Sequence, residues 1–193
     1  MIKIGILGDI GAGKSYVAKN FGYPVFNADE EVGKIYKKDK KILKKLKKVL
    51  PKYFINFPVN KSKVSEAILD DKKNLNKIIK IVHLEIKKKL KLFLKKNKNK
   101  KYVILDIPLL LENNINRKND ILIFVESKKK ETLKRLKKRK NFNQRLVKKF
   151  KSIQLPLVHK KKKSQFVIKN DFKDITVKKN VNNILKNILK WKK

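Results

Sequence analysis

The sequence predicts an α/β fold of three layers, with helices on both faces of a parallel central sheet. Three observations carry that expectation. Apolar runs of strand length, the first of them β-branched, recur at 2–7 ("IKIGIL"), 23–29 ("YPVFNAD"), 101–108 ("KYVILDIP"), 120–127 ("DILIFVES") and 164–171 ("SQFVIKND"). The segments between them place apolar residues three and four apart, the period of an amphipathic helix. The first run also leads through a glycine cluster straight into a helical segment, "KSYVAKNF".

Taken in order, residues 2–7 read as a buried strand and the glycine loop follows it. A short second strand ends at Asn27 and Asp29. From Glu30 to about Lys100 the pattern is helical, as in Ile42, Leu43, Leu46 and Leu50, then Ile78, Ile81, Val82, Ile86 and Leu90. "PKYFINFPVN" (51–60) breaks this region in two, and it reads as a helical insertion between the second and third strands. Two further strands, at 101–108 and 120–127, precede a Lys-rich helical stretch over 128–155, broken near "NFN". A last strand and a C-terminal helix from Ile175 complete the chain. No internal repeat is visible.

Composition narrows the function classes. At 193 residues and 41% hydrophobic content the chain forms one domain with a real core. With no Cys it has neither a disulfide framework nor a thiolate zinc site. The longest apolar run, "YVILDIPLLL", is interrupted by Asp106 and Pro108 and falls short of a membrane span of about 20 residues. No basic leader with a cleavage site precedes the first strand, so a cytoplasmic enzyme is expected.

The charge is extreme: 55 Lys+Arg against 16 Asp+Glu, a formal +39. Almost all of the excess is Lys, since Arg occurs only at 117, 135, 139 and 145. The lysines lie on helix-like segments without aromatics interleaved as stacking platforms. They read as a solvated surface that attracts polyanions non-specifically at low salt, and no specific nucleic acid is expected as a partner.

Four of the chain's six glycines fall between Gly5 and Gly13. Gly8-Asp9-Ile10-Gly11-Ala12-Gly13-Lys14-Ser15 matches G-x-x-x-x-G-K-[ST] between a strand and a helix, the setting that motif requires. Such a loop turns its backbone N–H groups toward phosphate oxygens, and glycines are needed where a side chain would block them or forbid the dihedrals. Lys14 then reaches the β- and γ-oxygens and the Ser15 hydroxyl ligates Mg²⁺. Gly8, Gly11, Ala12, Gly13, Lys14, Ser15 and Tyr16 are thus the candidate ATP-binding residues of a P-loop NTPase fold.

Other residues carry two readings each. Asp29, at the end of the second strand, suits a base that accepts a proton from a substrate hydroxyl, or a helix N-cap for "EEVGKIY". Asp106 closes the third strand, where an acid helps hold Mg²⁺, or is an ordinary strand-end carboxylate. Arg135 and Arg139, four apart, share a helix face and suit forked phosphate contacts, or are surface arginines. His83, in an apolar helical run, reads as a packed or capping residue.

In this order the motifs resemble the dephospho-CoA kinase family over essentially the whole chain. "IGILGDIGAGKSYVAKNF" is similar to the family's opening, "VFNADEEV" to its V-I-D-A-D segment, and "VHLEI" to its H-P-x-I element. "VILDIPLLLEN" resembles V-x-D-I-P-L-L-F-E, the most discriminating stretch after the loop. "ETLKRLKKR" resembles Q-x-x-R-x-x-x-R, "KSIQLP" resembles R-I-x-x-Q, and "SQFVIKN" resembles A-D-x-V-I-x-N. Departures stand at Asp9, Tyr16, Asn27, Leu84, Lys151 and Gln165.

The resemblance implies ATP-dependent phosphorylation of the ribose 3′-hydroxyl of dephospho-CoA in coenzyme A biosynthesis, with Mg²⁺ accompanying ATP. It makes Asp29 and Lys14 catalytic, adds Arg135 and Arg139 to the ATP site, and assigns His83, Pro108, Leu109, Leu110 and Glu112, with Asp29, to the acceptor. It implies a core (about 1–29, 101–127 and 160–193), a helical substrate-binding insertion (about 30–100) and a helical lid (about 128–159). The expected partners are ATP and dephospho-CoA, with no membrane, and the chain acting as a monomer or weak homo-oligomer. Other classes that share the loop are another small-molecule or nucleoside monophosphate kinase, a nucleic-acid-associated ATPase, and an inactive nucleotide-binding relative.

Overall fold

A computed structural model describes residues 1–191. Its sheet has five parallel strands in the order β2-β3-β1-β4-β5. These are β1 (Ile2–Gly8), β2 (Val25–Asn27), β3 (Tyr102–Asp106), β4 (Ile121–Glu126) and β5 (Phe166–Lys169). The helices are α1 (Lys14–Asn20), α2 (Ala28–Lys38), α3 (Lys40–Val49), α4 (Lys61–Asp70), α5 (Lys72–Lys96), α6 (Lys129–Lys137), α7 (Gln144–Ser152), α8 (Leu157–Lys162) and α9 (Asp174–Trp191). Among the described residues, no helix is long and apolar enough to cross a membrane.

The chain gathers into two compact units. The first comprises Met1–Asn27, Asn97–Phe142 and the chain from Gln154 onward, and holds the sheet. Alternate strand residues explain its layers, because side chains of a strand point to opposite faces. Ile4, Ile6, Ile104, Ile121, Ile123, Val125 and Ile168 bury one face beneath Val17 and Ala18 of α1 and Val177, Val181, Ile184 and Ile188 of α9. The intervening residues are apolar too: Leu7, Val103, Leu105, Leu122 and Phe124 are all buried, as a sheet covered on both sides demands.

The second unit, Ala28–Lys96 with Asn143–Ile153, is helical. Its helices bury Ile35, Tyr36, Ile42, Leu46, Ile68, Leu75, Ile78 and Ile86, and the segment between α3 and α4 buries Phe54. The long helical reading of 30–100 is divided at more places than "PKYFINFPVN", and polar caps explain where. Asp39 accepts from Lys41 N at 2.9 Å to start α3, and Asp71 accepts from Lys73 N at 2.8 Å as α5 begins. Asn60 accepts from Ser62 N at 2.8 Å to start α4. Lys149 of α7 donates to Ile68 O (2.7 Å) and Leu69 O (3.0 Å), closing the C-terminal end of α4.

Three local readings change. β2 stops at Asn27, and Asp29 lies in the first turn of α2 with Glu30 and Glu31. Three acids at a helix start oppose its positive dipole end, which favours helix there over continued strand. Arg139 lies beyond the end of α6, so it and Arg135 do not share a helix face. The chain instead turns there, Arg139 N donating to Leu136 O at 3.1 Å. A short helix, α8, occupies 157–162, where the sequence reading had none. The stretch 128–159 places α6 in the first unit and α7 in the second, with the chain rejoining the first at Gln154. Lys192 and Lys193, part of the expected C-terminal helix, lie outside the described residues.

Candidate active site

The site begins where β1 ends. After Gly8 the chain turns through Asp9–Gly13 and enters α1 at Lys14. Gly11 and Gly13 have φ of 84° and 88°, left-handed conformations that other residues adopt only at a penalty. The glycines also admit close neighbours. A Cβ on Gly11 would stand 2.7 Å from Leu136 Cγ of α6, and one on Gly8 would stand 2.6 Å from Val125 O. Gly5 has a different reason to be glycine: its missing Cβ leaves room for Leu110, whose Cδ2 would otherwise be 2.5 Å away.

Asn170 supports the loop from behind, just beyond β5. It is buried, and its Nδ2 donates to Ala12 O at 2.8 Å. Its Oδ1 accepts from Phe172 N at 2.9 Å. A Cβ on Gly13 would collide with Asn170 Nδ2 and approach Phe172 Cε1 to 3.3 Å. The Phe172 ring in turn carries Arg135, whose guanidinium carbon lies 4.5 Å from the ring centroid. Stacking over an aromatic face suits a planar guanidinium and leaves its edge N–H groups open to oxygen acceptors.

Inside the loop, Lys14 Nζ donates to Asp9 O at 2.8 Å and to Gly8 O at 3.2 Å. At Asp9, which departs from the family pattern, the side-chain carboxylate accepts from Ile10 N at 2.7 Å and tightens the turn. Tyr16 donates its hydroxyl to Asp174 at the start of α9, a bond that raises the phenol's pKa. Asp174 also pairs with Lys178 at 2.5 Å. The sequence places Tyr16 at the loop, and only the tertiary structure links it to α9.

Register sets the third feature. β2 and β3 pair Asn27 with Asp106. Asn27 Nδ2 donates to Asp106 Oδ2 at 2.8 Å and lies 3.5 Å from Ser15 Oγ. Ser15, Asn27 and Asp106 are therefore adjacent at the carboxyl ends of parallel strands, where open α/β sheets bind ligands. No cluster of three or more His, Cys, Asp or Glu side chains occurs among the described residues. That donor set suits Mg²⁺ held mainly through substrate phosphates, one carboxylate and a hydroxyl, and fits no protein-built transition-metal site.

After β3, the loop Pro108–Asn114 folds on itself: Asn113 N donates to Leu109 O (3.2 Å), Asn114 N to Leu111 O (3.0 Å) and Ile115 N to Leu110 O (3.0 Å). Pro108 and Leu109 are partly exposed, whereas Leu110 is fully buried and builds the loop from beneath. Glu112 pairs with the buried Lys160 of α8 at 2.7 Å. In the helical unit, Asp29 is exposed in the first turn of α2. His83 is half-buried on α5, its Nε2 without a hydrogen-bond partner among the described residues. Burial, and secondarily Lys87, lower its pKa below the ordinary imidazole value.

The family model described as dephospho-CoA kinase matches residues 2–175. The chain belongs to the dephospho-CoA kinase family. A dephospho-CoA kinase of Wolbachia from Brugia malayi is 35% identical over 170 residues, 86% of this chain and 87% of that protein. Another from Bartonella quintana is 33% identical over 193 residues, covering 97% and 98%. A crystal structure from Thermus thermophilus shares the fold with a TM-score of 0.76 at 23% identity, covering 97% of both chains. The chain is thus a kinase by family, and its strand–glycine loop–helix unit is the candidate site.

The loop and "DIPLLLEN" mark the family in the sequence, and Asn170 matches the closing Asn of A-D-x-V-I-x-N, but Phe172, Leu136 and Lys160 carry no such signal. Asn170 lies in the quoted "SQFVIKN", yet nothing in its spacing tells that its amide holds Ala12. Lys160 sits in the unbroken run "KKKK" and is indistinguishable by sequence from its neighbours.

Proposed function

We propose that this protein transfers the γ-phosphoryl group of ATP to the ribose 3′-hydroxyl of dephospho-CoA, yielding coenzyme A and ADP. The observation that carries the nucleotide half is the loop itself: two left-handed glycines, Lys14 at its mouth, and Asn170 bracing it through Ala12 O. Family membership and "DIPLLLEN" support dephospho-CoA as acceptor.

The loop amides and Lys14 bind and orient the β- and γ-phosphates. Ser15 Oγ and Asp106 are the residues that would hold Mg²⁺, which when bound neutralises charge on those phosphates. Asp29 accepts the hydroxyl proton as that oxygen bonds to the γ-phosphorus and the bond to the β-bridging oxygen breaks. It follows Asn27 by two residues, so the covalent chain keeps its Cα within about 7 Å of that of Asn27. Arg135, presented by Phe172, and Arg139 offer donors to charge spread over the transferred oxygens. His83 and, on the loop after β3, Pro108, Leu109 and Glu112 serve the acceptor side, with Leu110 as the buried footing of that loop.

The test is ADP release with a panel of acceptors: dephospho-CoA, nucleoside monophosphates, shikimate, and RNA or DNA at physiological salt. Turnover is expected with dephospho-CoA alone. Asp29→Asn and Lys14→Ala are each expected to lower kcat by about 100-fold or more with the fold intact. Near-native kcat in Asp29→Asn removes Asp29 as the base, and turnover on another acceptor alone replaces the substrate.

A further inference from the structure

Lys160 is the one buried lysine among the described residues, 1% exposed in a chain whose other lysines cover its surface. Its Nζ lies 2.7 Å from Glu112 Oε1 and donates to Gln154 Oε1 at 3.1 Å. The same Glu112 oxygen accepts from Leu155 N at 2.9 Å. Glu112 Oε2 is buried without a partner among the described residues. One carboxylate oxygen thus ties three places together: the loop after β3, the segment where the chain re-enters the sheet unit at Gln154, and α8.

A buried charge pair is weak evidence for stability, because desolvation offsets much of the attraction. Its placement suggests another use. The loop Pro108–Asn114 leaves the carboxyl end of β3, and β3 pairs in parallel with β1, whose carboxyl end feeds the phosphate loop. Glu112 is the one acid of that loop. An uncompensated carboxylate there would repel the polyanionic substrates, and without Lys160 the far side of the loop would keep only the bond from Leu155 N, with Leu110 packed over Gly5.

We propose that Lys160 is a positioning residue for the acceptor substrate, holding and neutralising Glu112 so that the Pro108–Asn114 loop presents a fixed, uncharged edge to it. The proposal rests on the reading of dephospho-CoA as acceptor. Steady-state kinetics of Lys160→Met, Lys160→Arg, Glu112→Gln and the double variant Glu112→Gln/Lys160→Met test it.

Lys160→Met is expected to raise KM for dephospho-CoA about tenfold or more while KM for ATP stays within about twofold. The double variant, again balanced in charge, is expected to regain about threefold of that loss, and Lys160→Arg to fall between wild type and Lys160→Met. Lys160→Arg also covers the case in which Lys160→Met does not fold. A fall in melting temperature with both KM values unchanged, or changed equally, overturns the proposal and leaves the proposed activity standing.

Amide exchange needs no acceptor. Asn113, Asn114 and Ile115 are expected to exchange about tenfold faster in Lys160→Met, while the Val17 amide keeps its wild-type rate. If wild type proves inert toward dephospho-CoA, the proposed activity fails, and these rates alone judge the loop-holding step; unchanged rates overturn it.

Discussion

Asn27 Nδ2 lies 2.8 Å from Asp106 Oδ2, and the two residues are paired across adjacent parallel strands. Where the family pattern has an acid, this chain has an amide that donates to the neighbouring carboxylate. The substitution therefore removes a like-charge contact beside a buried acid and supplies a hydrogen bond in its place.

Asn27→Asp is expected to restore that like-charge contact and to destabilise the nucleotide-free protein by about 1–3 kcal/mol. Added Mg²⁺ should recover more stability in Asn27→Asp than in wild type, because a second carboxylate gives the cation another ligand. Thermal unfolding with and without Mg²⁺ checks both statements. Equal Mg²⁺ shifts in the two proteins would show that position 27 does not face the cation.

Gly13 and Asn170 are expected to be coupled. Gly13→Ala must hold a left-handed conformation, costing about 1–2 kcal/mol, and its Cβ would also collide with the Asn170 amide. Asn170→Ala alone loses the bonds to Ala12 O and from Phe172 N, about 1–3 kcal/mol. Since the second change removes the group that the first one hits, the double variant should lose less than the two losses added together. Urea unfolding of all four proteins measures this.

Arg135 is exposed and rests on Phe172, so its removal should leave stability within about 0.5 kcal/mol. Arg135→Ala is expected to lower kcat/KM for ATP about tenfold or more, and Arg135→Lys to recover little of it, because a lysine has no plane to stack. Phe172→Ala should reproduce much of the same loss. Full activity in Arg135→Lys would mean that charge alone matters at this position.

His83 should leave a mark on the pH dependence of stability. Burial, then Lys87, holds its folded-state pKa below the ordinary value of 6.5. The unfolded chain therefore takes up the proton first as pH falls. The stability linked to neutral His83 is complete above about pH 6.5 and declines below it. Compared by urea unfolding at pH 7.5 and 5.5, His83→Gln should lose less stability than wild type over that interval. An identical loss in both proteins would place the titration elsewhere.

The local elements of the nucleotide site were legible because their residues are contiguous. The run from Ile2 to Phe21 holds a strand, a glycine turn and a helix whose order is itself the motif. The sequence leaves Asp29 open between a strand end and a helix N-cap, because "VFNAD" continues an apolar run while the helix-favouring acids come only afterwards; the structure puts it inside the first turn of α2. Arg139 was read onto a helix face from spacing alone, and the helix ends at Lys137. α8 has no signature in the sequence, because a run of lysines carries no apolar period.

What the amino-acid order determined by itself is the alternation of buried strands with helices and the glycine turn between β1 and α1, since both are encoded within windows of a few residues. What only the tertiary structure decided is which partners complete them. Asn170 reaches Ala12 across 158 positions, Lys160 finds Glu112 on another loop, and Arg135 comes to rest on Phe172. Hydrophobic periodicity reports how strongly a side chain prefers burial. It does not report which of many equivalent lysines or asparagines the packed sheet and helices will bring against a distant carbonyl, carboxylate or ring.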